Sequence, residues 1–236
     1  MKKILLLLST LIAIGQTFSQ TIPNEIMQFP FSNASLVNQG SLGTASNFLR
    51  GTSVTLTKIS DRDGNNDAAI ELDNNGNIYA PFTADLKDMT LSFWINMSSG
   101  SSSLIRIIQS YGDPVGTTVG GFQINFNPFT NSLYYSANAG NFGSFLQRNA
   151  STTNDLDDNT WHHIVMRTEL VSGQLDINFF IDGTLDTNLT TNITLLSGSV
   201  NRFLKNGSIN VSPTSNFDNG IDDIRLFDRK LTNAEI

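Results

Sequence analysis

Two kinds of side chain in this sequence are spaced so that they could do chemistry: carboxylates close together in the chain, and aromatics set among amides. Retaining glycoside hydrolysis needs two carboxyl groups about 5–5.5 Å apart. Residues two apart on a strand share a face, which makes Glu71-Leu72-Asp73 the nearest such pair, but Asn74-Asn75-Gly76 follows with no further Glu. Asp222 and Asp223 are consecutive, so strand alternation sends them to opposite faces. The same rule parts His162 from His163: they do not share a metal, and one is expected packed and hydrogen-bonded, the other at the surface. No Gly-x-Ser-x-Gly or His-Glu-x-x-His motif occurs, and the 236 residues contain no cysteine, which excludes thiol nucleophiles, zinc ribbons and disulfide frameworks. Catalysis is therefore not expected. Phe129, Tyr134, Tyr135, Phe142 and Phe145 lie in an Asn/Gly/Ser-rich stretch. Aromatic faces and amides are what sugar rings and hydroxyls need, so Phe129, Tyr134, Phe142 and Phe145 are candidate ligand-binding residues. At least one of the two tyrosines is expected to point inward.

The elements that must hold these residues read as strands. Hydrophobic residues make up 39% of the chain and charged residues 15%, enough apolar material for a core and against wholesale disorder. Period-two alternation is clear in Leu91/Phe93/Ile95, Phe122/Ile124/Phe126 and Ile177/Phe179/Ile181. Strands are expected at Glu25–Phe31, Ser53–Ile59, Ala68–Leu72, Met89–Met97, Leu104–Gln109, Gly121–Asn127, Ser132–Ala137, His162–Glu169, Leu175–Asp182, Thr184–Asn188, Ser208–Val211 and Gly220–Phe227. Asp182-Gly183 is the turn that would close the tightest hairpin. This pattern is an all-β, antiparallel two-sheet sandwich. Asn138–Asp158 reads as a long loop, and Thr232–Ile236 as the first turn of a helix with a capping box to Glu235.

Met1-Lys2-Lys3, the apolar run Ile4–Ile14 and Thr17-Phe18-Ser19 have the order of a secretory signal peptide, giving residues 1–19 as leader and 20–236 as one exported domain. The apolar run is too short to span a bilayer, so no transmembrane segment is expected in the mature chain, and further domains could follow residue 236. Secreted or cell-surface placement follows, and the Met-Lys-Lys start looks bacterial. Acidic residues outnumber basic ones, 21 to 14, which disfavours a nucleic-acid partner. Asn-X-Ser/Thr triplets at Asn33, Asn96, Asn149, Asn188, Asn192, Asn206 and Asn210 read as the chance product of an Asn/Ser/Thr-rich chain.

Four segments carry a family resemblance. Met89-Thr90-Leu91-Ser92-Phe93-Trp94-Ile95, Asn159-Thr160-Trp161-His162-His163-Ile164-Val165, Phe179-Phe180-Ile181-Asp182-Gly183 and Gly220-Ile221-Asp222-Asp223-Ile224-Arg225-Leu226-Phe227 resemble, in order, the strand motifs of laminin-G-like domains in the concanavalin A-like lectin/glucanase superfamily. Phe29–Gly40 and Asp61–Asp73 match more loosely. The resemblance implies a jelly roll, with Trp94 and Trp161 expected to fill the space between the sheets. It also implies a recognition module binding glycan or an extracellular protein, the alternatives being a glycoside hydrolase or a structural adhesion spacer. The family's glucanases carry Glu-x-Asp-x-(x)-Glu, which Glu71-Leu72-Asp73 does not complete. A structural Ca²⁺ is further implied, with Asn33, the Gly40 carbonyl and Asp223 as ligands, although Ser35-Leu36-Val37 stand where the opening loop's acidic ligand belongs. Asp61–Asp67 resembles a calcium loop, yet Leu72 occupies the position of the bidentate Glu, and the string reads as a polar turn.

Overall fold

The period-two segments become the strands of two stacked antiparallel sheets. The computed structural model describes residues 24–50, 55–72, 78–86, 88–98, 105–111, 120–139, 145–151, 155–172, 174–191, 204–211 and 219–236. The first sheet contains β1 (Glu25–Phe29), β3 (Leu56–Ile59), β4 (Ala69–Leu72), β6 (Met89–Met97), β11 (Trp161–Val171), β12 (Gln174–Ile181), β13 (Thr184–Thr191) and β15 (Asn219–Phe227). Its order is β13-β12-β11-β6-β15-β4-β3, with β1 also paired to β15. The second sheet contains β2 (Leu49–Arg50), β5 (Ile78–Leu86), β7 (Ile105–Tyr111), β8 (Gly120–Asn127), β9 (Ser132–Ala139), β10 (Phe145–Ser151) and β14 (Leu204–Val211), in the order β10-β9-β8-β7-β14-β5-β2.

One apolar layer joins the sheets. Leu91, Phe93 and Ile95 from β6, Ile164 and Met166 from β11, and Ile177 and Phe179 from β12 meet Ile78, Ile108, Ile124 and Phe126 of the second sheet in a single buried cluster. Burying a side chain of this size is worth about 1.5–3 kcal/mol, so the alternation itself supplies most of the driving force. Asp182 and Gly183 both take positive φ, 50° and 76°, as a two-residue hairpin loop with the right twist requires. Among the described residues no helix is long and apolar enough to cross a membrane.

The structure departs from the sequence reading at several points. Strand β10 lies inside the segment read as a long loop. Strand β5 was missed because Pro81 argues against a strand; β2 pairs only with Ile78 and Tyr79, which leaves an open edge beside Pro81, where proline is tolerated. Residues 232–236 form a turn rather than a helix. The capping contact is made, with the Thr232 amide donating to the Glu235 carboxylate at 2.8 Å, but one turn does not repay the cost of helix nucleation.

The largest correction concerns the tryptophans. Trp94 alternates with the core residues Phe93 and Ile95, and Trp161 is on the same side of β11 as His163, so both lie on the outer face of the first sheet. The Trp161 ring covers Gly220, where an added Cβ would come within 2.9 Å of it. Counting aromatics toward the core overlooked the parity that Phe93 had already set.

Candidate functional site

The sandwich has two outer faces, and they are built differently. On the first sheet the arrangement starts from a turn. The Asp61 carboxylate accepts hydrogen bonds from the Asp63 and Asn65 amides at 2.9 and 2.8 Å, and from the Asn65 side chain at 2.9 Å, while Gly64 takes φ 79°. The string expected to be a polar turn is one, with its carboxylate occupied by its own loop. The turn holds Arg62 so that its guanidinium lies 4.6 Å over the Trp94 ring, donates to Asp222 at 3.0 Å and sits 3.6 Å from Asp223.

Asp222 and Asp223 do not face opposite ways. The pairing of β15 with β6 shifts register between Asp222 and Arg225, and Asp223 adopts φ 48°. This bulge breaks strict alternation and brings both carboxylates to Arg62. Arg225 then forks onto Asp223 at 3.0 and 2.9 Å and reaches Glu25 of β1 at 3.4 Å. Burial, and after it the Asp223 charge, push Asp222 up to about 7. A raised carboxyl beside an ionised one is what an acid/base pair needs, yet Asp222 is only 3% exposed and Arg62 bonds it. Of the other carboxylate pair, Glu71 lies on β4 opposite Gly220, and Asp73 is outside the described residues.

His163 stacks on Trp94 with centroids 4.9 Å apart and shares a 2.8 Å hydrogen bond with Ser92. Burial lowers its pKa to about 4, so the ring is neutral. His162 is held by Asp182 at 2.9 Å and Asp158 at 3.2 Å, and hydrogen bonds to these two raise its pKa despite burial. Asp182, in the hairpin turn, is what fixes both histidines, since its other oxygen accepts the His163 amide at 2.8 Å.

Residues 228–236 strap this face. Arg167 donates to the Leu231 carbonyl at 2.9 Å and to Asn233 at 2.8 Å, Thr90 bonds the Arg229 carbonyl and the Leu231 amide, and Lys230 pairs with Glu169. Beneath the strap is a cavity of about 180 Å³ bordered by Trp94, His163, Asp223, Arg225, Phe227 and Leu231. The polar groups on its wall, Ser92, His163, Asp223, Arg225 and Glu235, all have protein partners.

Of the expected calcium ligands, Asp223 is the one already engaged by charge. Asp223 is gripped by one guanidinium and approached by a second, and two cations beside a carboxylate oppose a divalent ion there. The Gly40 carbonyl accepts the Gly43 amide at 3.0 Å, and the Asn33 amide donates to the Asp67 carbonyl at 2.6 Å. Among the described residues no cluster of three His, Asp or Glu is arranged to hold a metal.

The outer face of the second sheet is read from strand register. Ile78, Val211, Ile108, Ile124 and Tyr135 are successive cross-strand partners, and Ile78, Ile108 and Ile124 are core residues. The neighbouring rows fall on the opposite face. One runs Tyr79, Asn210, Gln109, Gln123, Ser136, Gln147; a second runs Pro81, Ser208, Tyr111, Gly121, Asn138, Phe145; a third runs Arg106, Asn125, Tyr134, Asn149. Amides and aromatics dominate these rows, and none of the positions is Asp or Glu. Register thus places Tyr134 and Phe145 on this face and Tyr135 in the core row. Phe129 stands at the β8–β9 turn, 72% exposed, with its amide on Asn127 at 3.0 Å. Phe142 lies outside the described residues. Tyr79, Tyr111 and the amides of β7 and β14 were not singled out in the sequence, because only strand order brings them beside Tyr134.

Residues 62–236 match the model of a laminin-G family described as the concanavalin A-like lectin/glucanases superfamily. No curated protein matches the chain. Among solved structures, the chain is similar to domain 4 of AbnA, a GH43 extracellular arabinanase from Geobacillus stearothermophilus, in complex with arabinotriose. The TM-score is 0.62 at 14% identity, over 90% of this chain and 96% of that one. It is similar to a structure from work on botulinum neurotoxin type C, whose cell entry depends on two ganglioside molecules (TM-score 0.62, 16% identity, 90% of this chain). This chain spans about half of that one, 49%. An endo-1,3-β-glucanase from Streptomyces sioyaensis matches with TM-score 0.56 at 10% identity, over 86% of this chain and 95% of that one. At such identities the likeness is one of fold, which hosts glycan-binding and glycan-cleaving proteins alike.

Proposed function

The chain belongs to a laminin-G family of the concanavalin A-like lectin/glucanases superfamily, and on that premise we propose that it is a non-catalytic glycan-binding module of an exported protein. The observation that carries this reading is the set of register rows on the second sheet. They gather Tyr79, Tyr111, Tyr134 and Phe145 with seven Asn and Gln residues on one face. Aromatic rings offer flat apolar contact to the C–H side of a sugar, and each amide offers both donors and an acceptor to hydroxyls. A carboxylate pair, which hydrolysis would require, is missing from these rows. Export is supported by the leader-like order of residues 1–19.

A hydrolase is the second reading, favoured by the raised pKa of Asp222 beside Asp223. Against it, Arg62 and Arg225 occupy both carboxylates and Asp222 is buried. The two readings part in a single assay. Arabinotriose, laminaritriose, lactose, sialyllactose and trigalacturonate are offered in calorimetric titration and, separately, incubated and analysed for cleavage. The proposal expects binding without cleavage, weakened at least tenfold by Tyr134→Ala. Cleavage abolished by Asp222→Asn supports the hydrolase. Failure of all five to bind, or binding indifferent to Tyr134→Ala and Phe145→Ala, overturns the glycan site.

A further inference from the structure

We propose that His162 is a proton-operated clasp on the loop 155–160, which closes one end of the sandwich. As the imidazolium it ties that loop to the β12–β13 turn; as the neutral ring it lets the loop go. The two ring nitrogens meet carboxylates from two different segments. Nδ1 lies 2.9 Å from Asp182 in the turn, and Nε2 lies 3.2 Å from Asp158 in the loop. An ionised carboxylate only accepts, so both contacts are hydrogen bonds only when both nitrogens carry a proton, and a neutral imidazole carries one. The neutral state has a partner in place as well. Thr160 Oγ1 is 3.1 Å from Nε2 and donates to Asp158 at 2.6 Å. When Nε2 gives its proton to solvent, the Thr160 hydroxyl turns to donate to it, while Nδ1–H stays on Asp182. Asp158 Oδ1 then falls from three donors, the Thr160 amide, the Thr160 hydroxyl and Nε2, to the amide alone. The turn side of the clasp holds, and the loop side opens.

The surroundings of the ring give that release its consequence. The His162 side chain is 12% exposed, so its charge is weakly screened. Facing it are Asp158 from the loop and Asp182 from the turn, and its cross-strand neighbour on β6 is the buried Ile95. Burial works against the imidazolium, but the hydrogen bonds to Asp182 and Asp158 outweigh it and raise the ring above its ordinary 6.5. The clasp is therefore closed below 6.5 and opens as pH rises through the folded value. Farther along the loop, the Asp155 and Asp157 side chains share a hydrogen bond; burial, that bond and the neighbouring Asp155 and Asp158 charges raise Asp157. Losing the imidazolium leaves these crowded carboxylates without their cation, and their repulsion pushes the loop outward. What still pins the loop is Leu156 in the core and the Asn159 amide on the Met97 carbonyl at 3.0 Å. The Leu156 amide also donates to Asn131 at 3.5 Å, two residues from the exposed Phe129. The charge on His162 thus sets how firmly the turn carrying Phe129 is held.

Histidine-selective NMR and amide exchange on the ligand-free chain test the clasp. The sequence has two histidines, so His162→Gln and His163→Gln assign both rings. The His162 ring should titrate above 6.5 and, once neutral, keep its proton on Nδ1. Thr160→Val deletes the hydroxyl that serves the neutral ring and should move that midpoint higher. Exchange is corrected for the intrinsic effect of pH and referred to the core amides of β6, which report global opening. Between about pH 5.5 and 8, protection of residues 155–160 should fall about threefold or more, with residues 129–131 following and residues 182–185 steady. His162→Gln and Asp158→Asn should each remove that pH dependence, and His163→Gln should keep it. A His162 ring that titrates at or below 6.5, loop protection indifferent to pH, or the same pH dependence in His162→Gln overturns the clasp. A change confined to residues 155–160 overturns the link to Phe129. Circular dichroism of each variant at both pH values checks that the fold is retained.

Discussion

The two outer faces of one sandwich solve opposite problems. On the first sheet the polar side chains are spent on one another: Arg62 on Asp222, Arg225 on Asp223 and Glu25, Arg167 on the 228–236 strap, and His163 on Ser92 and Trp94. On the second sheet, register lines up amides and aromatics in three rows with a single charge. The first face resembles a set of staples joining loop 61–65, β1, β15 and the strap. The second has the composition of a surface that meets hydroxyls. On the first face the charges are matched inside the protein.

This contrast predicts where each kind of damage falls. Arg167→Ala removes the bonds to Leu231, Asn233 and Asn178 and uncovers Phe180. It should cost about 3 kcal/mol, as loss of a buried hydrogen-bonded charge does, read as a lower midpoint in urea with glycan affinity unchanged. Tyr134→Ala should do the reverse, costing about 1.5 kcal/mol of binding while stability moves by no more than about 0.5 kcal/mol. If both variants lose stability and binding together, the two faces are not separable.

A smaller effect comes from Thr168, whose buried hydroxyl has no hydrogen-bond partner. Thr168→Val keeps the shape and removes the orphan, so stability should rise by about 1 kcal/mol, read as a higher urea midpoint with the slope unchanged. The pH profile sharpens the same division. Folding drops His163 from 6.5 to about 4, so between those values the unfolded chain takes up the proton. The stability His163 contributes is whole above 6.5 and is lost as pH falls toward 4. Folding raises Asp222 from 3.8 to about 7, so its contribution is whole below 3.8 and is lost as pH rises through 7. The two oppose each other from 4 to 6.5, and above 6.5 Asp222 acts together with His162, whose raised pKa also makes stability fall as pH rises. Urea midpoints should therefore fall from pH 6.5 to 8, with Asp222→Asn flattening that decline and His163→Gln flattening the acid side. Smallest of all, EDTA should leave the melting temperature unmoved, because two arginines already surround Asp223; a fall of several degrees would restore the calcium expectation.

Much of the fold was legible because alternation is a local signal: Leu91, Phe93 and Ile95 announce their face without knowledge of any partner strand. What escaped depends on partners. The bulge at Asp223 is invisible in a run that reads as continuous strand, and it alone turns two consecutive carboxylates toward one arginine. The tryptophans were misplaced by weighing size over parity. Of the candidate site, Phe129, Tyr134 and Phe145 could be named from composition. Tyr79, Tyr111 and Asn210 could not, since they come from segments up to about 130 residues apart and meet only through the order β10-β9-β8-β7-β14-β5.

The division of labour between the faces can be tested in one experiment, amide hydrogen exchange with and without a saturating concentration of whichever panel oligosaccharide binds most tightly. Ligand should slow exchange in β7–β10, residues 105–111, 120–139 and 145–151, and leave 89–97, 161–171 and 219–227 unchanged. Protection confined to those last three segments would place the ligand under the strap of the first sheet and contradict the account.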